Sequence, residues 1–284
     1  MAEPYGLDLV IRNAVVATAS DTFECDIGIR GGRIALLGHG LPAGEREIDA
    51  AGRTVTPGGV DAHCHLDQPM EGPARMADDF VTGSRSAACG GTTTIIPFAA
   101  QMKGQSLRAA VTDYHGRAEG KSCIDYAFHL IVSDPTPEVV ERELPSLIGE
   151  GYTSFKVYMT YDDLKLDDAQ ILDVLDVART HGALAMVHAE NADCIEWLTK
   201  RLEAAGRTAP RWHAHARPML VEREATHRAI ALSELVDVPI LIVHVSGREA
   251  IEQIRWARGH GLSIFAETCP QYLFLTAEDL GIDD

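Results

Sequence analysis

GGVDAHCHL (residues 58–66) is an apolar run that ends in two histidines, and it is the first of seven such runs. TTTIIPF (92–98), YAFHLIV (126–132), TSFKVYM (153–159), ALAMVHAE (183–190), PILIVHV (239–245) and LSIFAET (262–268) follow. The segments between them carry a helical period and predict helices near 106–118, 137–149, 168–181, 190–205, 221–236 and 247–259. In DAQILDVLDVARTHG (168–182), Ile171, Leu172, Leu175 and Ala178 share one face, and His181-Gly182 closes the helix. Near-continuous apolar strands alternating with helices indicate a parallel sheet covered by helices. No GxGxxG follows the first strand and there is no P-loop, so the series favours a barrel over a dinucleotide-binding sheet.

Upstream, LDLVIRNAVVAT (7–18) and DIGIRGGRIALLG (26–38) read as short strands, with Gly31-Gly32 as a two-residue hairpin turn. The predicted fold class is therefore α/β: a TIM-type (β/α)8 barrel over 57–284, preceded by a small β-sandwich-like domain over 1–56. Only about seven barrel strands are read, where closure takes eight. The natural chain is accordingly expected to continue past residue 284, bringing the eighth strand and the rest of the β domain.

Composition narrows the function classes. Of 284 residues, 46% are hydrophobic and 24% charged, as in an ordinary globular enzyme. The formal charge of −17 disfavours nucleic acid, acidic membranes and strongly anionic substrates as partners. No apolar run is long enough to span a membrane, and the opening MAEPYGLDLV lacks a secretion signal. The six cysteines stand singly, which predicts a reduced, cytoplasmic setting with most of them serving as small buried hydrophobes. Only five of the 25 Lys and Arg residues are lysines, so a lysine within an apolar strand stands out.

His63 and His65 end the first barrel strand. Strand side chains alternate, so both rings point to one side, toward the rim where barrel active sites lie. Two imidazoles side by side in an apolar barrel either bind a divalent metal or form a hydrogen-bonded core pair, and the preceding Pro-Gly-Gly turn favours the metal. Lys156, inside TSFKVYM, would be a desolvated ammonium. It either pairs with a carboxylate or loses its proton, adds carbon dioxide and becomes an anionic carbamate. His188 and His244 end two successive strands and converge on the same rim, and spacing alone does not exclude His129 from joining them. A second HxH, His213 and His215, follows no apolar strand and reads as a loop between Pro210 and Pro218. His39, His115, His181, His227 and His260 read as solvated.

PGGVDAHCHLDQP, SFKVYMTY, VHAEN, IVHVSGREA and AETCPQYL, in that order, resemble the dihydropyrimidinase/D-hydantoinase family of cyclic amidohydrolases over essentially the whole chain. The resemblance implies a pair of divalent metal ions, usually zinc, with His63 and His65 on the more buried ion and His188 and His244 on the more exposed one. Lys156 matches the family's N6-carboxylated, metal-bridging lysine, and His129 matches no ligand. Tyr161 matches the tyrosine that hydrogen-bonds the oxyanion, while Gln68, Met70 and Tyr158 fall on loops that line the pocket for the ring substituent. The implied reaction is ring opening of a neutral cyclic ureide, a 5,6-dihydropyrimidine or 5-substituted hydantoin, by a metal-bridging hydroxide. The product is an N-carbamoyl amino acid, as in pyrimidine degradation. A homotetramer is implied as well.

The pattern carries alternatives. Dihydroorotases have an arginine and allantoinases typically an asparagine where this chain has Asp67, so Asp67 argues for an uncharged ring unless it only supports its neighbours. An allantoinase-type hydrolase and a non-catalytic scaffold of the same fold are the competing readings. The family's last ligand, an aspartate on strand eight, is not assigned, because Asp279, Asp283 and Asp284 follow strand seven in a loop or helix.

Overall fold

The structure, a computed structural model, describes residues 6–70 and 74–281. The N-terminal MAEPY read above, together with Asp283 and Asp284, lies outside the described residues. Backbone contacts separate two compact units, one of residues 1–60 and 91–93 and the other of 61–90 and 94–284.

In the first unit, β1 (Leu7–Ala17), β2 (Thr22–Arg30), β3 (Arg33–Gly38), β4 (Gly44–Asp49) and β5 (Thr54–Val55) form one sheet. β2 and β3 are the expected hairpin: Gly31 and Gly32 take φ of 59° and 71°, left-handed values that match the twist of the flanking strands and that a side chain would oppose. A small core of Ala14, Val16, Cys25, Ile27 and Ala50 holds the sheet. Arg12 spans Asp26 at 3.1 Å and Glu47 at 2.6 Å.

The second sheet follows the apolar runs. Its strands are β6 (Gly59–Cys64), β7 (Thr92–Ala100), β8 (Asp125–Tyr126), β9 (His129–Ile131), β10 (Ser154–Tyr158), β11 (Leu184–His188), β12 (Ile240–Ile242) and β13 (Ile264–Ala266). Seven of them lie in the order β13-β12-β11-β10-β9-β7-β6, with β8 attached to β7. The ladders from β7 to β13 are parallel, so the C-terminal ends share one rim of a curled sheet. Helices α1 (Phe80–Cys89), α2 (Leu107–Ala118), α3 (Leu144–Gly149), α4 (Asp168–His181), α5 (Ala192–Ala204), α6 (His213–Ala216), α7 (Met219–Val236) and α8 (Arg248–Gly259) connect the strands. α4 starts at a reciprocal cap between Asp167 and Gln170 and stops at Gly182 in the left-handed conformation. None of the described helices is long and apolar enough to cross a membrane.

Three expectations are corrected. The segment around His213 and His215 is not a loop but a short helix, because Pro210 and Pro218 bound it without interrupting it. His115 is not solvated: its ring packs edge-on against Phe128 and its Nε2 meets the Tyr152 hydroxyl at 2.7 Å. Most cysteines are not buried; Cys89 on α1, Cys194 on α5 and Cys123 in the loop before β8 are exposed and only Cys25 is fully buried, because surface positions tolerate a small thiol.

Leu130 sits in the interior strand β9, paired with Ala99 of β7 and Phe155 of β10, and is 0% exposed. Leu130→Ala is expected to lower unfolding free energy by about 2–5 kcal/mol, read from urea denaturation midpoints at unchanged slope.

Candidate metal centre

Parallel strands bring distant residues to one rim. His63 is in the last turn of pleat of β6, His65 lies just beyond it, His188 ends β11, His244 follows β12 by two residues and Lys156 lies within β10. The rings form a continuous chain: His65 to His63 at 5.5 Å between centroids, His63 to His244 at 5.5 Å, His244 to His188 at 4.5 Å. Lys156 Nζ reaches this chain at His63 Nε2, 3.1 Å away, and lies over the Phe98 and Tyr158 rings at 4.5 and 5.0 Å. All five expected ligands are thus neighbours. Among the described residues, no three His, Cys, Asp or Glu side chains are spaced to hold an ion on their own.

Three of the imidazoles have one nitrogen tied down. His65 Nδ1–H donates to Gln68 Oε1 at 2.6 Å, and His188 Nε2–H donates to Glu190 Oε2 at 2.8 Å. His63 Nδ1–H donates to Glu267 Oε1. The acceptors are amide or carboxylate oxygens, so the proton must sit on the tied nitrogen and the other nitrogen carries the lone pair. Phe98 packs flat on His65 at 4.8 Å and edge-on to His63 at 4.9 Å, which limits ring rotation.

Burial sets the charge state. It pushes Lys156, 1% exposed and without a paired carboxylate among the described residues, down to about 7 against the opposing charge of Glu267. It pushes His65 down to about 4, with Lys156 adding to the effect, and His244 down to about 2, with His188 adding. His188 is lowered for the same reason. His65, His188 and His244 are therefore neutral nitrogen donors.

The backbone is strained where His244 projects. Its φ is 40°, a left-handed value rare for a side-chain-bearing residue, and hydrogen bonds on both sides hold it: Val243 N–H to Val187 O at 3.2 Å and Val245 N–H to Glu267 O at 2.8 Å. The turn beyond it is clamped by Glu222, whose carboxylate accepts from Ser246 N–H at 2.8 Å and Gly247 N–H at 2.6 Å.

Tyr161 also has a left-handed φ, 68°, and its ring lies 5.1 Å from His188 and 6.0 Å from Tyr158. Burial raises its hydroxyl pKa, and a hydrogen bond with Arg217 opposes the rise. Arg217, delivered by α6, also reaches Glu190 at 3.3 Å. Burial would raise Glu190, but its bonds to His188 and Arg217 hold it below the usual glutamate range. Tyr158 is buried and stacks on His188 at 5.2 Å; Gln68 is engaged with His65; Met70 is 50% exposed on the loop after β6.

His129 takes no part in the cluster. Its Nδ1 meets Ser154 Oγ at 2.5 Å and its Nε2 the Ala62 carbonyl at 2.9 Å, so both nitrogens are used in packing β9. Asp67 does not face the rim with a free charge, because Arg117 pairs with its carboxylate at 3.4 Å and its carbonyl at 2.8 Å. Its argument for an uncharged ring is correspondingly weaker. Glu267, Glu190 and Arg217 went unread as site residues; only Glu190, in VHAE, carries a local cue, an acceptor two residues from an imidazole.

Residues 54–221 match the sequence model of the amidohydrolase family. The chain belongs to the amidohydrolase family. Among curated proteins, this amidohydrolase is 48% identical to a D-hydantoinase of Ralstonia pickettii over 96% of its own length. Among solved structures, it superposes on a D-hydantoinase with a TM-score of 0.95 at 47% identity, covering 98% of this chain and 61% of that one. It superposes on a dihydropyrimidinase from Brevibacillus agri with a TM-score of 0.93 at 46% identity, covering 97% and 60%. The chain spans about 60% of the length of the curated relatives it matches.

A buried amine without a carboxylate partner is a local cost to the metal-free fold. In chelator-treated, carbonate-depleted buffer, Lys156→Met is expected to be neutral or to raise unfolding free energy by about 1–4 kcal/mol. Chemical denaturation of the two proteins side by side checks this, and a clear destabilisation would contradict it.

Proposed function

We propose that this chain carries the catalytic site of an enzyme that opens neutral cyclic ureides, 5-substituted hydantoins or 5,6-dihydropyrimidines, to N-carbamoyl amino acids. The observation that carries the reading is Lys156: a buried amine with no carboxylate counter-ion among the described residues, set against a chain of four imidazoles at the strand ends. Such nitrogen donors suit divalent cations. A Lys156 amine kept neutral can add carbon dioxide, forming an N–C bond and releasing one proton, to give an anionic carbamate.

In this reading His63 and His65 would hold one cation and His188 and His244 a second, with carboxylated Lys156 as the oxygen ligand; zinc is the metal implied by the family. When bound, such a pair ionises water near neutral pH and polarises an amide carbonyl. The chain's own groups do the rest. Tyr161, kept protonated by burial, donates its hydroxyl hydrogen to the oxygen that gains charge as the ring amide is attacked. Arg217 steadies that hydroxyl and, through Glu190, the orientation of His188. Tyr158, Gln68 and Met70 border the space for the ring substituent. The net charge of −17 agrees with an uncharged substrate. A cytoplasmic homotetramer belongs to the same reading, and sedimentation equilibrium tests the assembly.

The decisive experiment supplies zinc and bicarbonate, measures bound metal, and assays a 5-substituted hydantoin, dihydrouracil and allantoin in parallel. About two zinc per chain and opening of a hydantoin or dihydrouracil are expected. Lys156→Ala should lose at least about 10³-fold in rate, since the ionised water it helps to hold contributes several kcal/mol. Absence of bound metal would favour the scaffold reading, and opening of allantoin alone would replace the substrate assignment.

A further inference from the structure

β6 and β13 are the two ends of the seven-strand order, yet a side chain of β6 meets one just past the end of β13. His63 Nδ1–H donates to Glu267, a partner 204 residues away. Gln68 and Glu190, which serve His65 and His188 in the same manner, are only three and two residues from the rings they hold. They come from the loop that each ring's own strand enters. Glu267 is different in origin: it must be carried to His63 by the curl of the whole sheet.

Its backbone is fixed for that purpose. Glu267 N–H donates to Ile242 O at 3.1 Å, and Glu267 O accepts from Val245 N–H at 2.8 Å. Thr268 Oγ donates to Val245 O at 2.9 Å. The carboxylate is thus presented from a backbone stapled on both sides of the strained His244. At the other end of the hydrogen bond, His63 Nε2 stands 3.1 Å from Lys156 Nζ. A carboxylate only accepts, so it leaves His63 one neutral arrangement: hydrogen on Nδ1, lone pair on Nε2, aimed at Lys156.

We propose that Glu267 is a positioning residue that fixes His63 in its Nδ1–H form and ring orientation, so that Nε2 is the donor to the cation shared with Lys156. The effect on metal affinity rests on the metal reading above; the effect on the His63 tautomer does not. Partners of this kind typically contribute 10–100-fold, by order of magnitude, to metal affinity.

The test uses Glu267→Ala, Glu267→Gln and the unaltered chain, with two readouts. Zinc affinity is measured by competition with a chromophoric chelator. The His63 tautomer is read in metal-free protein from long-range proton–nitrogen correlations of 15N-histidine, with the His63 signals assigned by their loss in His63→Ala. The expectation is Nδ1–H for His63 in the unaltered chain, a shift toward mixed tautomers in Glu267→Ala, and about 10–100-fold weaker zinc binding there. Glu267→Gln, isosteric and still able to accept through Oε1, should retain the tautomer and lose less affinity than the alanine variant. It also supplies the comparison if Glu267→Ala fails to fold. The proposal is overturned if the unaltered His63 carries its hydrogen on Nε2, or if Glu267→Ala keeps both tautomer and affinity. If the unaltered chain binds no zinc, the metal reading fails while the tautomer measurement still decides the role of Glu267.

Discussion

The rim is organised around a single desolvated amine. Lys156 enters the interior on a strand flanked by two others, over the faces of Phe98 and Tyr158, with no carboxylate paired to it among the described residues. Transfer of an ammonium ion to such a place is unfavourable by several kcal/mol, so the amine is held where shedding its proton is the easier course. The same burial denies protons to His65, His188 and His244. One physical cause, exclusion of water from the strand ends, thereby converts what would be a repulsive cluster of cations into a set of lone pairs.

Keeping those lone pairs aimed is a separate task, and the chain assigns it to polar oxygens placed behind each ring. Gln68, Glu190 and Glu267 each remove one nitrogen from play. Glu222 pins the turn after His244, and Arg217 links the Tyr161 hydroxyl to the Glu190 carboxylate. Two of the projecting residues, Tyr161 and His244, adopt left-handed backbone angles that cost about a kcal/mol or more each and persist because neighbouring hydrogen bonds over-determine them.

The βα alternation and the five central residues were legible because each is a local property: apolar runs with a helical period between them, or a basic side chain stranded in such a run. Features formed between distant segments were not. Nothing near Glu267 announces that His63 awaits it 204 residues earlier. Asp67 read as a rim carboxylate because Arg117, its partner, sits fifty positions on, in α2. α1 was missed because it is short and buries only Phe80 and the polar Ser84. Its start is capped by Asp79 and Thr82 rather than by the more common acidic third residue. His115 looked solvated on its own helix, and only the fold supplies Phe128 and Tyr152 to cover it.

Between His63 and His65, at the end of β6, stands Cys64, packed against the apolar core with its thiol pushed up to about 12 by burial. The pleat sends that sulfur to the side opposite the imidazoles. A slip of one position in the pairing of β6 would exchange them, offering a soft sulfur where the rim now offers borderline nitrogens. The alignment of β6 therefore decides whether imidazole nitrogen or thiol sulfur faces the rim.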